Sequence, residues 1–138
     1  MSDLAEIMKK EIKSIEAGES LIMAARRMRD ERIGSLLVTS NADYVGVVTE
    51  TDVVRKAAAE GKDLSSLTVD TVMTKPVVSI ESAKTIRDAN DMMGEYGVRH
   101  LAVSEAGKII GIVSVRDILL YFKSYAEPTY AEPKISQD

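Results

Sequence analysis

The sequence predicts an α/β (α+β) protein built from two repeats, each with the element order β-α-β-β-α. The first observation behind this prediction is a duplication, because the segment that begins at Gly46 recurs without a gap from Gly111, 65 residues further along. The second observation is that both copies alternate helically spaced apolar residues with short β-branched runs. A unit of about 60 residues has a marginal core on its own, so we expect the two repeats to pack together.

The domain organisation follows from the duplication. We assign the first repeat to residues 1–62, the second repeat to 63–125 and a tail to 126–138. The tail holds two of the three prolines and has no apolar face, which favours a mobile segment over a docking peptide.

Each repeat is predicted to begin with a short helix and a short strand. Residues 2–8 have helical spacing with Ser2 as N-cap, and their counterpart in the second repeat lies around 68–73. A strand pattern follows at 12–15 and, with more β-branched residues, at 77–80.

The next element of each repeat is an amphipathic helix. Apolar residues recur at steps of three and four at Leu21, Ala24, Ala25 and Met28, and again at Ile86, Ala89, Met92, Met93 and Tyr96. Gly34 and Gly97 are placed to end these two helices.

A β-hairpin and a closing helix complete each repeat. The hairpins pair 35–39 with 44–48 and 100–104 with 109–113, and the helices follow at about 50–60 and 115–124. Gly61 suits the end of the first of these helices.

The composition restricts the class of function. The chain has 18 basic and 22 acidic residues, a net charge of -4 and a pI of about 5.1, which disfavours nucleic acid and anionic membranes as partners. It has no cysteine and a single histidine, His100, which excludes disulfides, thiolate chemistry and a multi-histidine metal site within one chain. It shows neither a signal-peptide pattern nor an apolar run of about 18 residues. We therefore expect a cytoplasmic protein without a metal site.

The duplicated motif has two interpretations. In both copies a strand ends in Gly-x-x-[Ser/Thr]-x-x-Asp, with Thr49 and Asp52 in the first and Ser114 and Asp117 in the second. This spacing is close to that of a capping box, in which hydroxyl and acid simply start a helix. The alternative is a nucleoside site, since an Asp at a helix start can accept two hydrogen bonds from the vicinal diol of ribose. Both interpretations remain open at this point.

The motifs together resemble a known family. The run Val-Met-Thr-Lys-Pro-Val-Val-Ser-Ile at 72–80, the run Gly-Val-Arg-His-Leu at 97–101 and the duplicated motif resemble the tandem cystathionine-β-synthase (CBS) domain pair, or Bateman module, over about residues 4–124. The resemblance implies two repeats related by a pseudo-twofold axis. It also implies adenosine-type regulatory ligands: AMP, ADP, ATP or S-adenosylmethionine. Leu37 and Ala102 stand where such modules often have proline, which puts the local backbone geometry in question.

The resemblance further implies two ligand-binding corners, in each of which the aspartate binds ribose. The second-repeat corner would contain Lys13, Ser14, Ile33, Gly34, Arg99, His100, Ile112, Ser114, Arg116 and Asp117. The first-repeat corner would contain Val47, Thr49, Thr51, Asp52, Thr74, Val78, Ser79 and Val98. Because Arg99, His100 and Arg116 can donate charge-assisted hydrogen bonds to phosphate, we expect the Asp117 corner to be the better nucleotide site.

The sequence contains no convincing catalytic constellation and no Walker-type loop, so we do not expect an enzyme. The resemblance favours a regulatory adenine-nucleotide sensor that is homodimeric through its helical faces and acts on an unidentified partner protein. One alternative is a ligand-free oligomerisation scaffold in which the aspartates only cap helices. A sensor of S-adenosylmethionine is a further alternative, disfavoured because Arg99 and Arg116 would then have no phosphate to neutralise.

Overall fold

The structure is a computed structural model that describes residues 4–125. The first repeat contains β1 (Ser14–Glu16), α1 (Leu21–Glu31), β2 (Ser35–Ser40), β3 (Asp43–Thr49) and α2 (Glu50–Asp52), which continues as a π-helical segment over Val53–Ala58. The second contains β4 (Ser79–Glu81), α3 (Ile86–Tyr96), β5 (His100–Glu105), β6 (Lys108–Ser114) and α4 (Val115–Ser124). Short 3-10 helices at Leu4–Glu6 and Val69–Thr71 precede the first strand of each repeat. Ser2 and the tail at 126–138 lie outside the described residues.

Each repeat forms its own three-stranded sheet. In the first sheet β1 pairs in parallel with β2, and β2 pairs antiparallel with β3. The second sheet, β4-β5-β6, has the same directions, with every paired residue and the irregularity in its hairpin displaced by 65 positions. The predicted α/β fold with two β-α-β-β-α repeats is therefore confirmed, although the opening strands begin two residues later than predicted.

The end of α1 differs from the prediction. Gly97 ends α3 in the left-handed conformation, with a φ of 66°, as predicted. In the first repeat the equivalent position is Arg32, which has a φ of 55° and caps α1, so Gly34 as the helix end was wrong. Position 34 favours glycine for a steric reason, because a Cβ there would lie 2.9 Å from the Glu50 carboxylate.

The first closing helix also differs from the prediction in detail. Only its first turn is α-helical, and the remainder, Val53–Ala58, has the wider π geometry. Gly61 does terminate this segment, with a φ of 69°. The amides of Gly61 and Lys62 donate to the carbonyls of Ala58 and Ala57, which is the hydrogen-bond pattern of a Schellman motif.

The two hydrophobic cores are closed by segments exchanged between the repeats. Leu4, near the start of the first repeat, is fully buried in the second core with Ile80 and Ile86. Val69 and Val72, near the start of the second repeat, are buried in the first core. We call residues 4–9 and 69–74 the cover segments. Each repeat therefore depends on the other repeat's cover segment to exclude water from its core.

Each cover segment pairs with the last strand of the repeat it covers. Lys9 and Ile112 exchange two backbone hydrogen bonds of 2.8 and 3.0 Å, and Val47 and Thr74 exchange two of 2.9 and 2.8 Å. Gly111 and Gly46 stand at these contacts, and a Cβ on either would come within 2.8 Å of a cover-segment carbonyl oxygen. The duplicated glycine is thus required by close backbone approach.

The backbone is regular at Leu37 and Ala102, the two strand positions where CBS-domain pairs often have proline. Leu37 and Ala102 are buried within β2 and β5. Their amides donate to the carbonyls of Lys13 and Val78, which a proline could not do. Within residues 4–125 the helices are too short and too polar to cross a bilayer.

Substituting Gly111 by alanine should destabilise the protein by ~1–3 kcal/mol, because its methyl group would meet the Lys9 carbonyl and the Met8 thioether. Gly94→Ala is the matched control. Gly94 lies in α3 with open space around its Cα, so alanine should be neutral or stabilise the helix by ~0.5–1 kcal/mol. Urea unfolding of both variants measures the difference, and equal stabilities would contradict the close-approach argument.

Candidate functional site

A cleft of about 1250 Å³ lies between the two repeats. Its walls come from the N-terminal segment, the end of α1 and start of β2, and the ends of β5, β6 and α4. The structure brings nine of the ten residues predicted for the second-repeat corner to this cleft: Lys13, Ile33, Gly34, Arg99, His100, Ile112, Ser114, Arg116 and Asp117. Ser14 does not line it. A cleft of this size can hold a small organic ligand.

The walls of the cleft carry more basic than acidic side chains. Seven basic residues line it, namely Lys9, Lys10, Lys13, Arg29, Arg32, Arg99 and Arg116, against the four acids Glu11, Glu31, Glu50 and Asp117. Lys13 is paired with Glu11 and Glu31 at 2.8 and 3.1 Å. Lys10, Arg32, Arg99 and Arg116 form no ion pair with any residue of the described chain. The cleft is therefore locally suited to an anion in a protein whose net charge is -4.

Asp117 is the buried acid of the cleft, and it does form a capping box. Its Oδ2 accepts a hydrogen bond of 2.8 Å from the Ser114 amide, and its own amide donates to the Ser114 hydroxyl at 3.2 Å. The nearest cation to its Oδ1 is the exposed Lys9 ammonium, 3.7 Å away. Capping therefore occupies only one carboxylate oxygen, and the other is available to a ligand.

His100 lies at the centre of the cleft beside Gly34. The imidazole packs so closely that a Cβ on Gly34 would be 3.2 Å from its Nε2. Burial lowers the pKa of His100 below its usual value, and the nearby Glu50 and Asp117 carboxylates oppose that shift only in part. Because burial holds its pKa below the usual value, the imidazole is mainly neutral at pH 7.

The first-repeat corner is arranged differently. Asp52 also forms a capping box, with its Oδ2 accepting from the Thr49 amide at 3.0 Å. Its Oδ1 is 2.9 Å from the Lys56 ammonium and 3.5 Å from the Thr74 hydroxyl. Val47, Thr49, Asp52 and Thr74 are thus brought together.

The remaining residues predicted for that corner are not shown to join it. Val78 and Val98 are half-buried and pack against the second core. Thr51 and Ser79 are exposed. Within residues 4–125 no cluster of acids and histidine is suited to holding a metal ion.

Sequence reasoning missed several residues of the cleft and of the first corner. Lys9 and Lys10 line the cleft because the N-terminal segment covers the second repeat. The duplication of Met8 as Met73 could have indicated this, since a Cβ on Gly111 or Gly46 would lie within 2.8 Å of the sulfur of Met8 or Met73. Lys56 could have been found from its position four residues after Asp52, which places the two on one helical face.

The fold and the cleft define a protein of two packed α/β repeats with a ligand-sized cleft between them. Comparison with known proteins agrees with this description. The profile of the CBS domain matches residues 4–59 and again residues 69–124. The chain therefore belongs to the CBS-domain family and carries a CBS-domain pair. Such pairs are commonly regulatory ligand-binding modules.

The relatives share most of this chain. An uncharacterized protein of Methanopyrus kandleri is 30% identical over 118 residues, which cover 84% of this chain and 60% of that protein. An uncharacterized 17.7 kDa protein of Acidianus ambivalens is 33% identical over 117 residues, covering 83% of this chain and 70% of the relative. The chain thus spans less than two thirds of the first of these relatives.

Solved structures match the fold closely. A protein with CBS domains from Burkholderia ambifaria has a TM-score of 0.89 and 27% identity, covering 94% of this chain and all of that one. A hexameric CBS-CP12 protein from bloom-forming cyanobacteria has a TM-score of 0.79 and 28% identity, covering 86% of this chain and 66% of that one. A CBS-domain pair in complex with 5′-methylthioadenosine and S-adenosyl-L-methionine has a TM-score of 0.81 at 22% identity, covering 91% and 98%.

Lowering the pH from 7 to 5 should reduce the free energy of unfolding through His100. Because burial lowers the pKa of His100 in the folded protein below the usual 6.5, the unfolded chain takes up this proton first. Stability therefore falls as the pH drops below about 6.5, above the range in which the exposed carboxylates titrate. Urea unfolding at pH 7, 6 and 5 should show this loss in the wild type but not in His100→Asn. The same pH dependence in both proteins would contradict it.

Proposed function

We propose that this chain is a regulatory module that binds a phosphorylated adenosine ligand, such as AMP, ADP or ATP, in the cleft beside Asp117. The observation that carries the proposal is the Asp117 carboxylate, which is buried, keeps Oδ1 available and stands in a cleft with an excess of basic side chains. A carboxylate in this position can accept hydrogen bonds from the two hydroxyls of a ribose. We propose no catalytic role for any residue of the cleft.

The basic residues support a ligand that carries phosphate. Arg99 and Arg116 have no ion-pair partner in the described chain, and a guanidinium binds phosphate with two parallel hydrogen bonds. His100 would add a third cationic group once a phosphate raised its pKa. The structural neighbour bound to 5′-methylthioadenosine and S-adenosyl-L-methionine supports the adenosine part of the proposal. For this chain a phosphorylated ligand is preferred, because S-adenosylmethionine would bring no phosphate to the two exposed arginines, which have no ion-pair partner in the described chain.

The competing function is a ligand-free scaffold, and specific observations favour it too. The duplicated motif has a complete structural explanation, since its glycines admit the cover segments and its hydroxyl and acid form capping boxes. A third capping box, Thr85 with Asp88, starts α3 on the exposed surface. Capping by itself therefore does not indicate a ligand. What the scaffold interpretation leaves unexplained is the cluster of unpaired basic side chains around Asp117.

The proposed signal is a change in how the repeats, or two copies of the chain, are arranged. The cleft is lined by both repeats, so a ligand can favour one relative arrangement by binding it more tightly. Leu119 and Leu120 belong to the cleft wall and are also 64% and 50% exposed on α4. We propose that a second copy covers this helical face, and that a still unidentified protein reads the resulting arrangement.

The wild type should be stabilised by one or more of AMP, ADP and ATP in a thermal-shift panel that includes S-adenosylmethionine and 2′-deoxy analogues. Ligand at 100 times its dissociation constant adds ~2.7 kcal/mol to stability. Asp117→Asn should lose most of this shift, because asparagine can still accept the Ser114 hydrogen bond but presents an amide in place of the second carboxylate oxygen.

Asp88→Asn is the matched control for that experiment. It makes the same change in the same kind of capping box, outside the cleft, so its ligand-induced shift should equal that of the wild type. A panel without any shift would favour the scaffold, and a shift with S-adenosylmethionine alone would overturn the preference for phosphate. Equal shifts in Asp117→Asn and the wild type would place the ligand elsewhere.

Phe122→Glu should convert a homodimer into monomers in sedimentation velocity. Phe122 is 54% exposed on α4 next to Leu119 and Leu120, so a carboxylate there would be buried without a partner in the proposed interface. Met23→Glu, at an apolar residue of α1 that is 41% exposed, is the control and should leave the association unchanged. A monomeric wild type would contradict this part of the proposal.

A further inference from the structure

In the first-repeat corner the protein itself supplies a cation, the Lys56 ammonium, beside Asp52. The Lys56 ammonium has three acceptors: Asp52 Oδ1 at 2.9 Å, the Val72 carbonyl at 3.0 Å and the Thr74 hydroxyl at 3.5 Å. An ammonium has three N–H donors, so two close acceptors and the more distant Thr74 hydroxyl hold this group, although its side chain is 47% exposed. Two of the three acceptors belong to the cover segment 69–74, which Lys56 therefore fastens to the π-helical segment that follows α2.

This cation occupies the carboxylate oxygen that is available in the other corner. Asp52 Oδ2 is held by the Thr49 amide, and Oδ1 is held by Lys56. In the second corner, the corresponding Oδ1 of Asp117 has only the ion pair of 3.7 Å with Lys9, whose side chain is 71% exposed. A diol that approached Asp52 would have to displace a satisfied ion pair, whereas one that approached Asp117 would displace solvent and a loosely held lysine.

The duplication shows that this difference arises from substitutions at equivalent positions. The residue 65 positions after Lys56 is Tyr121, which carries no positive charge. Of the seven basic residues around the cleft, only Lys10 has a basic counterpart at the same offset, Lys75. The first corner thus has one internal cation, Lys56, and keeps only Lys75 among the positions equivalent to the seven basic residues of the cleft.

We infer that Lys56 takes the place of a ligand in the first corner, so that the chain binds one nucleotide, at Asp117, and keeps the Asp52 corner closed. This inference rests on the proposed function. It assigns to Lys56 the control of binding stoichiometry, and it makes the two halves of the molecule unequal: the cover segment 69–74 is fastened internally, and the segment around Lys9 meets the ligand.

The test is isothermal titration calorimetry of the full chain with ATP. The wild type should bind one ATP per chain. Lys56→Tyr, which installs the residue found at the equivalent position, and Lys56→Met, which keeps the length without the charge, should each bind two. Lys62→Met removes a nearby exposed lysine and should still bind one. In Lys56→Tyr combined with Asp117→Asn, one site should remain, because only the Asp52 corner would then be intact.

The outcomes separate this inference from the proposed function. Two ATP molecules per wild-type chain would overturn the inference and leave the proposed function in place, as would one ATP in both folded Lys56 variants. Absence of ATP binding in every protein would overturn the proposed function for this ligand and the inference with it. A crystal structure of the wild type with ATP is an independent test, because it does not require the variants to fold. It should show nucleotide beside Asp117 and an intact Lys56–Asp52 pair, and nucleotide at Asp52 would overturn the inference.

Discussion

The structure depends on the exchange of cover segments between the two repeats. The backbone pairs Lys9 with Ile112 and Val47 with Thr74 can form only because Gly46 and Gly111 allow the chains to approach so closely. The same pairings carry Leu4 and Val69 into the opposite cores, where both are fully buried. A half of this size buries little apolar surface by itself, so the exchange makes one stable unit out of two marginal ones.

The two corners differ in charge although they are built on this symmetric framework. Both corners keep the strand, the hydroxyl and the capping aspartate, because those features are needed to start α2 and α4. The surrounding side chains are free of that requirement, and they have diverged. Lys56 neutralises Asp52 within the chain, while Arg99 and Arg116 leave positive charge around Asp117 without a partner. The two corners therefore differ in the charges around their aspartates, and also in the π geometry of Val53–Ala58, the segment that carries Lys56.

The fold could be predicted from the sequence because the pattern of each element occurs twice, 65 residues apart. Ambiguous stretches such as 12–15 were resolved by clearer copies such as 77–80. The end of α1 was misplaced because glycine was assumed to mark it, whereas Arg32 adopts the left-handed conformation and Gly34 serves a steric purpose. Most of the second corner could be predicted from the family resemblance. The Lys56 contact could not, because it depends on where the exchanged segment brings the Val72 carbonyl, which local sequence does not specify.

The exchange of cover segments also imposes an order on how the protein folds during its synthesis. When residues 14–58 have left the ribosome, the first core still lacks Val69 and Val72, so it remains open to water until the beginning of the second repeat has been made. Leu4 is synthesised before the strands and helices of the first repeat, yet its place is in the core of the second repeat. The segment that contains Leu4 must therefore stay undocked until the second repeat has been synthesised, and the first core stays incomplete until Val69 and Val72 have emerged.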